Sequence, residues 1–265
     1  MTPLTPEQLD AYLHRIGHSG PVANDADTLT ALHTAHTLNV PFENLDLFLG
    51  RAIALEPDAL FEKIVTRRRG GWCFEMNGMF VRVLQTTGFK FTLLAARVFD
   101  EDDNPGPRSH QLQLVRVEGR DWVVDVGFGG FGLIAPIPLE EETVHNQFAQ
   151  EFRLVRDPAG GYILQTRLDA KWDSQYVFTL EPSLPRDYEY ANYYLSHAPD
   201  SIFRQKRVVT QPTENGRLKF SNLELKIWGN GGTRTVHAAD DTEYKRLLRE
   251  HFRLAIDEGF VDPNR

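Results

Sequence analysis

Arg67-Arg68-Arg69-Gly70-Gly71-Trp72-Cys73-Phe74-Glu75-Met76-Asn77 holds the only cysteine in the 265 residues. From Phe74 onward, Phe74, Met76, Met79, Phe80, Val83 and Leu84 recur at roughly helical spacing until Gly88 ends the pattern. Cys73 is therefore expected at a helix start, where free N–H groups and the positive end of the helix dipole favour an anion. A thiolate is such an anion, and Gly70 and Gly71 permit a sharp turn before it. A lone cysteine can equally be a small buried hydrophobe, so position alone does not assign it a role.

Working outward, the N-terminal side reads as helical. Thr5-Pro6-Glu7-Gln8 opens a helix with Leu9, Tyr12, Leu13 and Ile16 on one face. A second begins after Asp25 or Asp27 and carries Leu29, Leu32, His33 and His36. Asn39 to Asp46 is a structured turn around Pro41, and Glu56-Pro57-Asp58 restarts a helix that leads into the arginines. After Gly88 the period changes: Phe89–Phe99 reads as a strand, and Asp100–Arg108 as a polar turn region. His110–Val117 and Trp122–Val126 read as a hairpin around Glu118-Gly119-Arg120. Weaker strands at 151–155, 162–166 and 175–180 suggest a barrel or sandwich. The remainder mixes a helix near Tyr193, strands near Val208 and over Lys219–Trp228, and a last helix from Asp241 to His251. The expected units are 1–88 (helical, carrying the cysteine), 89–187 (β-barrel) and 188–265 (an α/β lid).

Composition bounds the function. A hydrophobic fraction of 41% and a charged fraction of 25% are those of a globular chain. No apolar run reaches membrane-spanning length, and the N-terminus lacks the basic-then-apolar layout of a signal peptide. A single cysteine excludes an internal disulfide framework and fits a reducing cytoplasm. The formal charge of −8 argues against nucleic-acid binding.

A reactive cysteine needs a base, and the base an orienting group. If the hairpin loop is centred between Glu118 and Gly119, Asp125 faces Leu112 and becomes a diagonal neighbour of His110 on the same face. A slip of one residue would separate them. Asp125 lies within Trp122-Val123-Val124-Asp125-Val126, too apolar for an unpartnered carboxylate, so it either caps the glycine turn that follows or holds an imidazole. His110 alone is a weak signal among 9 histidines.

Pro41-Phe42-Glu43-Asn44-Leu45-Asp46, Arg69-Gly70-Gly71-Trp72-Cys73-Phe74-Glu75, Ser109-His110 and Val124-Asp125-Val126-Gly127-Phe128-Gly129 together resemble the arylamine N-acetyltransferases. So do Asn192-Tyr193-Tyr194-Leu195-Ser196 and Ser201-Ile202-Phe203-Arg204, and the matches keep the family's order. Trp72 departs from the Phe or Tyr that other members often carry, and the C-terminus looks short. The resemblance implies an α+β fold: a helical bundle, a β-barrel and an α/β lid around a triad similar to that of papain-like cysteine proteases. It implies catalytic Cys73, His110 and Asp125, with acetyl-CoA as acyl donor and no metal. The implied reaction is ping-pong: acetyl passes to Cys73 and then to an arylamine, arylhydrazine or arylhydroxylamine, a xenobiotic-metabolism chemistry. Phe42, Phe128 and Phe203 would wall the amine pocket, and Gly127, Gly129 and Gly130 would line the coenzyme cleft. One of Arg67, Arg68 and Arg69 at most is expected on ligand. Rival readings are an amide synthase of a biosynthetic pathway with the same fold, a cysteine hydrolase, and a non-enzymatic module with Cys73 in its core.

Overall fold

The computed structural model describes residues 2–168, 170–229 and 231–264. Helix α1 (Pro6–Ile16) begins with a reciprocal cap between Thr5 and Gln8 and stops at Gly17 in the left-handed conformation. Helix α2 (Ala26–Asn39) is capped by Asp25. The expected turn around Pro41 is a two-residue strand, β1 (Phe42–Glu43), followed by a single helical turn, α3 (Leu45–Phe48). Helix α4 (Pro57–Phe61) widens into a π-helical turn over Glu62–Thr66. Helix α5 (Cys73–Thr86) starts at the cysteine and is buried from Cys73 through Leu84.

Strand β2 (Lys90–Phe99) pairs with β3 (Pro105–Val117), which pairs with β4 (Arg120–Val124). The Asp100–Arg108 turn region is thus shorter than expected. Only Asp100–Asn104 turns, with the Asp100 carboxylate accepting from the backbone N–H groups of Asp102 and Asn104. Pro105 and Pro107 sit within β3 because β4 pairs only from Gln113 onward, so that edge has no ladder bond for a proline to break.

Strands β5 (Ile137–Pro138) and β6 (His145–Gln147), neither anticipated, precede β7 (Gln150–Arg156), β8 (Tyr162–Leu168) and β9 (Lys171–Phe178). These eight strands form one antiparallel sheet in the order β5-β4-β3-β2-β9-β8-β7-β6. It curls around a shared core containing Leu94, Leu112, Val123, Phe152, Leu164 and Tyr176, a nearly closed barrel.

Helix α6 (Pro185–His197) packs on β3, and the short α7 (Ile202–Gln205) follows. Strands β10 (Val208–Thr213), β11 (Gly216–Ser221), β12 (Glu224–Gly229) and β13 (Gly232–His237) then form a second sheet, with β1 on its edge. The expected single strand over Lys219–Trp228 is a hairpin. The final helix, α8 (Asp241–Phe252), lays Tyr244, Leu247, Leu248 and Phe252 on that sheet. The helices, barrel and second sheet together are the expected α+β architecture. No helix among the described residues is long and apolar enough to cross a membrane.

Candidate active site

Cys73 is the first residue of α5, so its N–H belongs to the turn whose donors lack intrahelical acceptors. The turn before it is built by close approach. A Cβ at Gly70 would stand 1.9 Å from the Pro41 carbonyl oxygen, and one at Gly71 would stand 2.8 Å from Glu75 Cβ. Only glycine lets β1 lie against this segment, where the Glu43 N–H donates to the Gly71 carbonyl at 2.9 Å. The Glu75 carboxylate closes the helix start by accepting from the Trp72 N–H at 3.0 Å.

The β3–β4 register pairs Gln113 with Val124 and Val117 with Arg120, the hairpin register anticipated from the loop. Asp125 follows one residue past β4, and its Oδ2 lies 2.7 Å from His110 Nε2. His110 and Asp125 are 2% and 1% exposed, so the pair is sealed from bulk water. With Nε2 engaged by the carboxylate, Nδ1 is the ring nitrogen left for the neighbouring Cys73 side chain. The sulfur lies 3.8 Å from the Ser109 carbonyl oxygen.

Burial opposes charge on His110, but the Asp125 carboxylate, its hydrogen bond and the Cys73 side chain outweigh it and push the imidazole up to about 10. Burial likewise opposes the charge on Asp125. His110, Asn77 and the Gly127 N–H prevail and hold its carboxyl below the ordinary value. Among the described residues, the other histidine–carboxylate approaches are long and lie at the surface: 3.9 Å for His237–Glu224 and 3.8 Å for His251–Glu250. Geometry therefore selects His110 from the histidines.

Two residues hold this pair: Asn77, which the sequence offered as a brace of the Cys73 turn, and His33, which was not singled out. Asn77, one turn into α5, donates to Asp125 Oδ1 at 3.0 Å and to the Gln111 carbonyl at 2.7 Å, and accepts from the Val126 N–H. It thereby locks α5 to both strands of the hairpin. His33 Nε2 accepts from the Asp125 N–H at 3.1 Å while Nδ1 donates to the Ile134 carbonyl. Complete burial drives His33 down to about 4, so it is a neutral brace. The usable signal was a pair of histidines, His33 and His36, on the apolar face of α2.

The aromatic candidates fall in two groups. Phe128 stands edge-on to His110 at 5.2 Å, and Tyr176 packs against both. Phe42 and Phe203 meet at 6.0 Å, and Phe203 stacks edge-on to Trp72 at 5.4 Å. Of the glycine candidates, Gly127 lies under the start of α5: a Cβ there would be 2.9 Å from the Cys73 carbonyl oxygen. One at Gly129 would be 2.6 Å from the Phe42 ring, so protein packing itself demands glycine at both positions. A Cβ on Gly130 would meet only the Phe128 ring, at 3.6 Å. Arg217 ties this turn down, donating to the carbonyls of Gly129 and Gly132.

Beside the cysteine lies a second buried ionic group. Arg69 pairs with Glu43 and Asp46, and Lys63 bridges Asp46 at 2.8 Å and Glu75 at 2.7 Å. Of the three arginines before the cysteine, Arg69 is therefore spent inside the protein. Among the described residues, no cluster of His, Cys, Asp or Glu could hold a metal ion.

The fold and the site define a protein with a helix-borne cysteine beside a barrel-borne histidine–aspartate pair. A family model described as N-acetyltransferase matches residues 25–261. The chain is 37% identical to an arylamine N-acetyltransferase of Escherichia coli (strain K12), over 98% of this chain and 92% of the relative. The structure of the Salmonella typhimurium arylamine N-acetyltransferase superposes with a TM-score of 0.89 at 34% identity, covering 98% and 97% of the two chains. That of the Mycobacterium marinum enzyme in complex with CoA gives 0.87 at 31% identity, covering 93% and 92%. The chain belongs to the arylamine N-acetyltransferase family, a family of acyltransferases.

Proposed function

We propose that the chain transfers the acetyl group of acetyl-CoA to arylamines, arylhydrazines and arylhydroxylamines through an acetyl-Cys73 intermediate. The observation that carries this reading is the buried His110–Asp125 pair at 2.7 Å, with the free side of the imidazole turned to a sulfur at a helix N-terminus. A charged imidazole beside a sulfur is the setting that stabilises a thiolate.

In the first half-reaction the Cys73 thiolate attacks the thioester carbonyl carbon. A new C–S bond forms, the bond to CoA breaks, and the departing CoA sulfur takes the proton held by His110. The developing oxyanion is met by N–H groups of the first turn of α5. In the second, His110 accepts the proton of the attacking amine nitrogen, the amide bond forms and Cys73 leaves as thiolate. Asp125 keeps the imidazole in the one orientation that serves both halves.

Phe42, Phe128 and Phe203 supply flat apolar walls for an aromatic acceptor. The backbone from Gly129 to Gly130, pinned by Arg217, offers a surface along which the coenzyme can lie. Intact-protein mass spectrometry after mixing with acetyl-CoA is expected to show one acetyl group on Cys73, discharged by an added arylamine. No adduct, or an adduct that persists in Cys73→Ala, would overturn the reading.

A further inference from the structure

A cavity of about 650 Å³ opens between α6, the 52–57 segment and the Phe74–Gly78–Arg82 stripe of α5. Cys73, His110 and Asp125 do not line it. Its size is that of a small-molecule site, and its walls are mainly apolar, with Leu60, Phe74 and Tyr188 among them. The polar side chains that reach it are mostly committed elsewhere. Arg82 donates to the carbonyls of Thr2 and Pro57, Tyr188 to that of Leu94, and Asn192 joins the Ile53 carbonyl to the Trp72 indole.

Gln111 differs. It lines the cavity, is 2% exposed, and its Nε2 finds no acceptor among the described residues. A buried amide donor without a partner is costly, and an acceptor placed in the cavity would relieve that cost. At the exposed mouth stand Glu56 and Glu189, and the Arg82 guanidinium that lines the cavity is already held by the carbonyls of Thr2 and Pro57. An anion would meet two carboxylates and then lose its hydration.

We propose that this cavity is a second small-molecule site, taking a neutral arylamide: an aromatic ring against Phe74 and Tyr188 and an uncharged carbonyl accepting from Gln111 Nε2. Its occupant would rest against the residues that adjoin the reacting groups, since Phe74 follows Cys73 and Gln111 follows His110. The site rests on the cavity and its donor, not on the proposed acetyl transfer, and is expected to bind whether or not the protein acetylates.

Acetanilide serves as probe and benzoate as its charged counterpart, read by protein-observed NMR on wild-type protein whose Cys73 has been blocked with iodoacetamide. Saturable acetanilide shifts are expected at Gly78, Gln111 and Asn192. Benzoate should bind at least about tenfold more weakly, and Gln111→Leu should weaken acetanilide about tenfold, the worth of one hydrogen bond to a buried donor. Ala54→Trp, which fills the cavity from the 52–57 segment, should abolish the shifts; if that variant does not fold, Ala52→Leu is read instead. Absence of saturable shifts, shifts confined to the surroundings of Phe128, or acetanilide binding unchanged by the filling variant would overturn the proposal.

Discussion

Two groups of buried charge flank the start of α5, and they are put together on opposite plans. On one side Glu43, Asp46, Lys63, Arg69 and Glu75 form a closed network in which each cation bridges two carboxylates. On the other, Asp125 spends one oxygen on His110 and the other on Asn77 and the Gly127 N–H, while the imidazole keeps its second nitrogen for Cys73. The network uses its charges on itself and holds the glycine turn in place. The pair leaves one ring nitrogen open, and it faces the Cys73 side chain. Charge in a core is thus no sign of chemistry by itself; what marks the site is the partner that has not been used up.

The contrast is breakable. Cys73→Ala should remove acetyl transfer by about 10⁴-fold or more, while leaving the urea-unfolding midpoint near that of the parent, because the ionic network does not touch the sulfur. A variant that keeps transfer would collapse the distinction. Arg69→Met should do the reverse in kind, costing about 3–5 kcal/mol of unfolding free energy by stranding the buried Glu43 without a cation and leaving Asp46 to Lys63. Equilibrium denaturation measures it, and a change under about 1 kcal/mol would show that the network is dispensable.

The pH dependence follows from the same groups. His33 is held near 4 by burial against an ordinary 6.5, so between those values the unfolded chain binds a proton that the folded chain refuses. Stability should fall by roughly 3 kcal/mol from this group as pH drops through that window. His110 acts in the opposite sense: raised to about 10, its contribution is complete below 6.5 and is lost as pH climbs toward 10. Denaturation at several pH values, with His33→Gln flattening the acid limb, checks the first claim.

Asp125→Asn should lower transfer about 10²-fold and bring the pH at which His110 loses its proton downward, read as a shifted pH profile of Cys73 alkylation. An unshifted profile would mean that the carboxylate only caps the glycine turn. The smallest effect is expected from Asn77→Ala, at about 1–3 kcal/mol, the cost of leaving buried donors and acceptors unpaired. Its loss should appear in stability and transfer together, since Asn77 joins α5 to the hairpin.

Much of this was readable in advance, and for identifiable reasons. Capping residues such as Thr5 and Asp25, and the change of period at Gly88, gave most of the helices and the main strands. His110 and Asp125 could be paired by arithmetic on one hairpin, because a strand's faces alternate strictly. The ionic network was illegible: its members come from β1, α3, the π-helical turn, the glycine turn and α5, and no local period joins them. His33 was hidden for the same reason, lying 92 positions from the backbone group that it accepts from. Pro105 and Pro107 misled because a proline's tolerance depends on which strand edge is left unpaired, and strand order is a property of the assembled sheet. Gly127 and Gly129 looked like a bed for coenzyme, yet the Cys73 helix and the Phe42 ring already require them bare.

Phe42–Glu43 contributes only two residues to any sheet, yet it is gripped from both sides. One edge bonds to Gly71, just before the cysteine, and the other pairs with Val209 and Thr210 in the last third of the chain. Asn44 adds its own clasp on the backbone of Val208. The C-terminal sheet is therefore no hinged flap at this point: to swing outward it would have to unlatch the same stitch that sets the turn beneath the sulfur. The second sheet stays fastened to the turn that carries the cysteine.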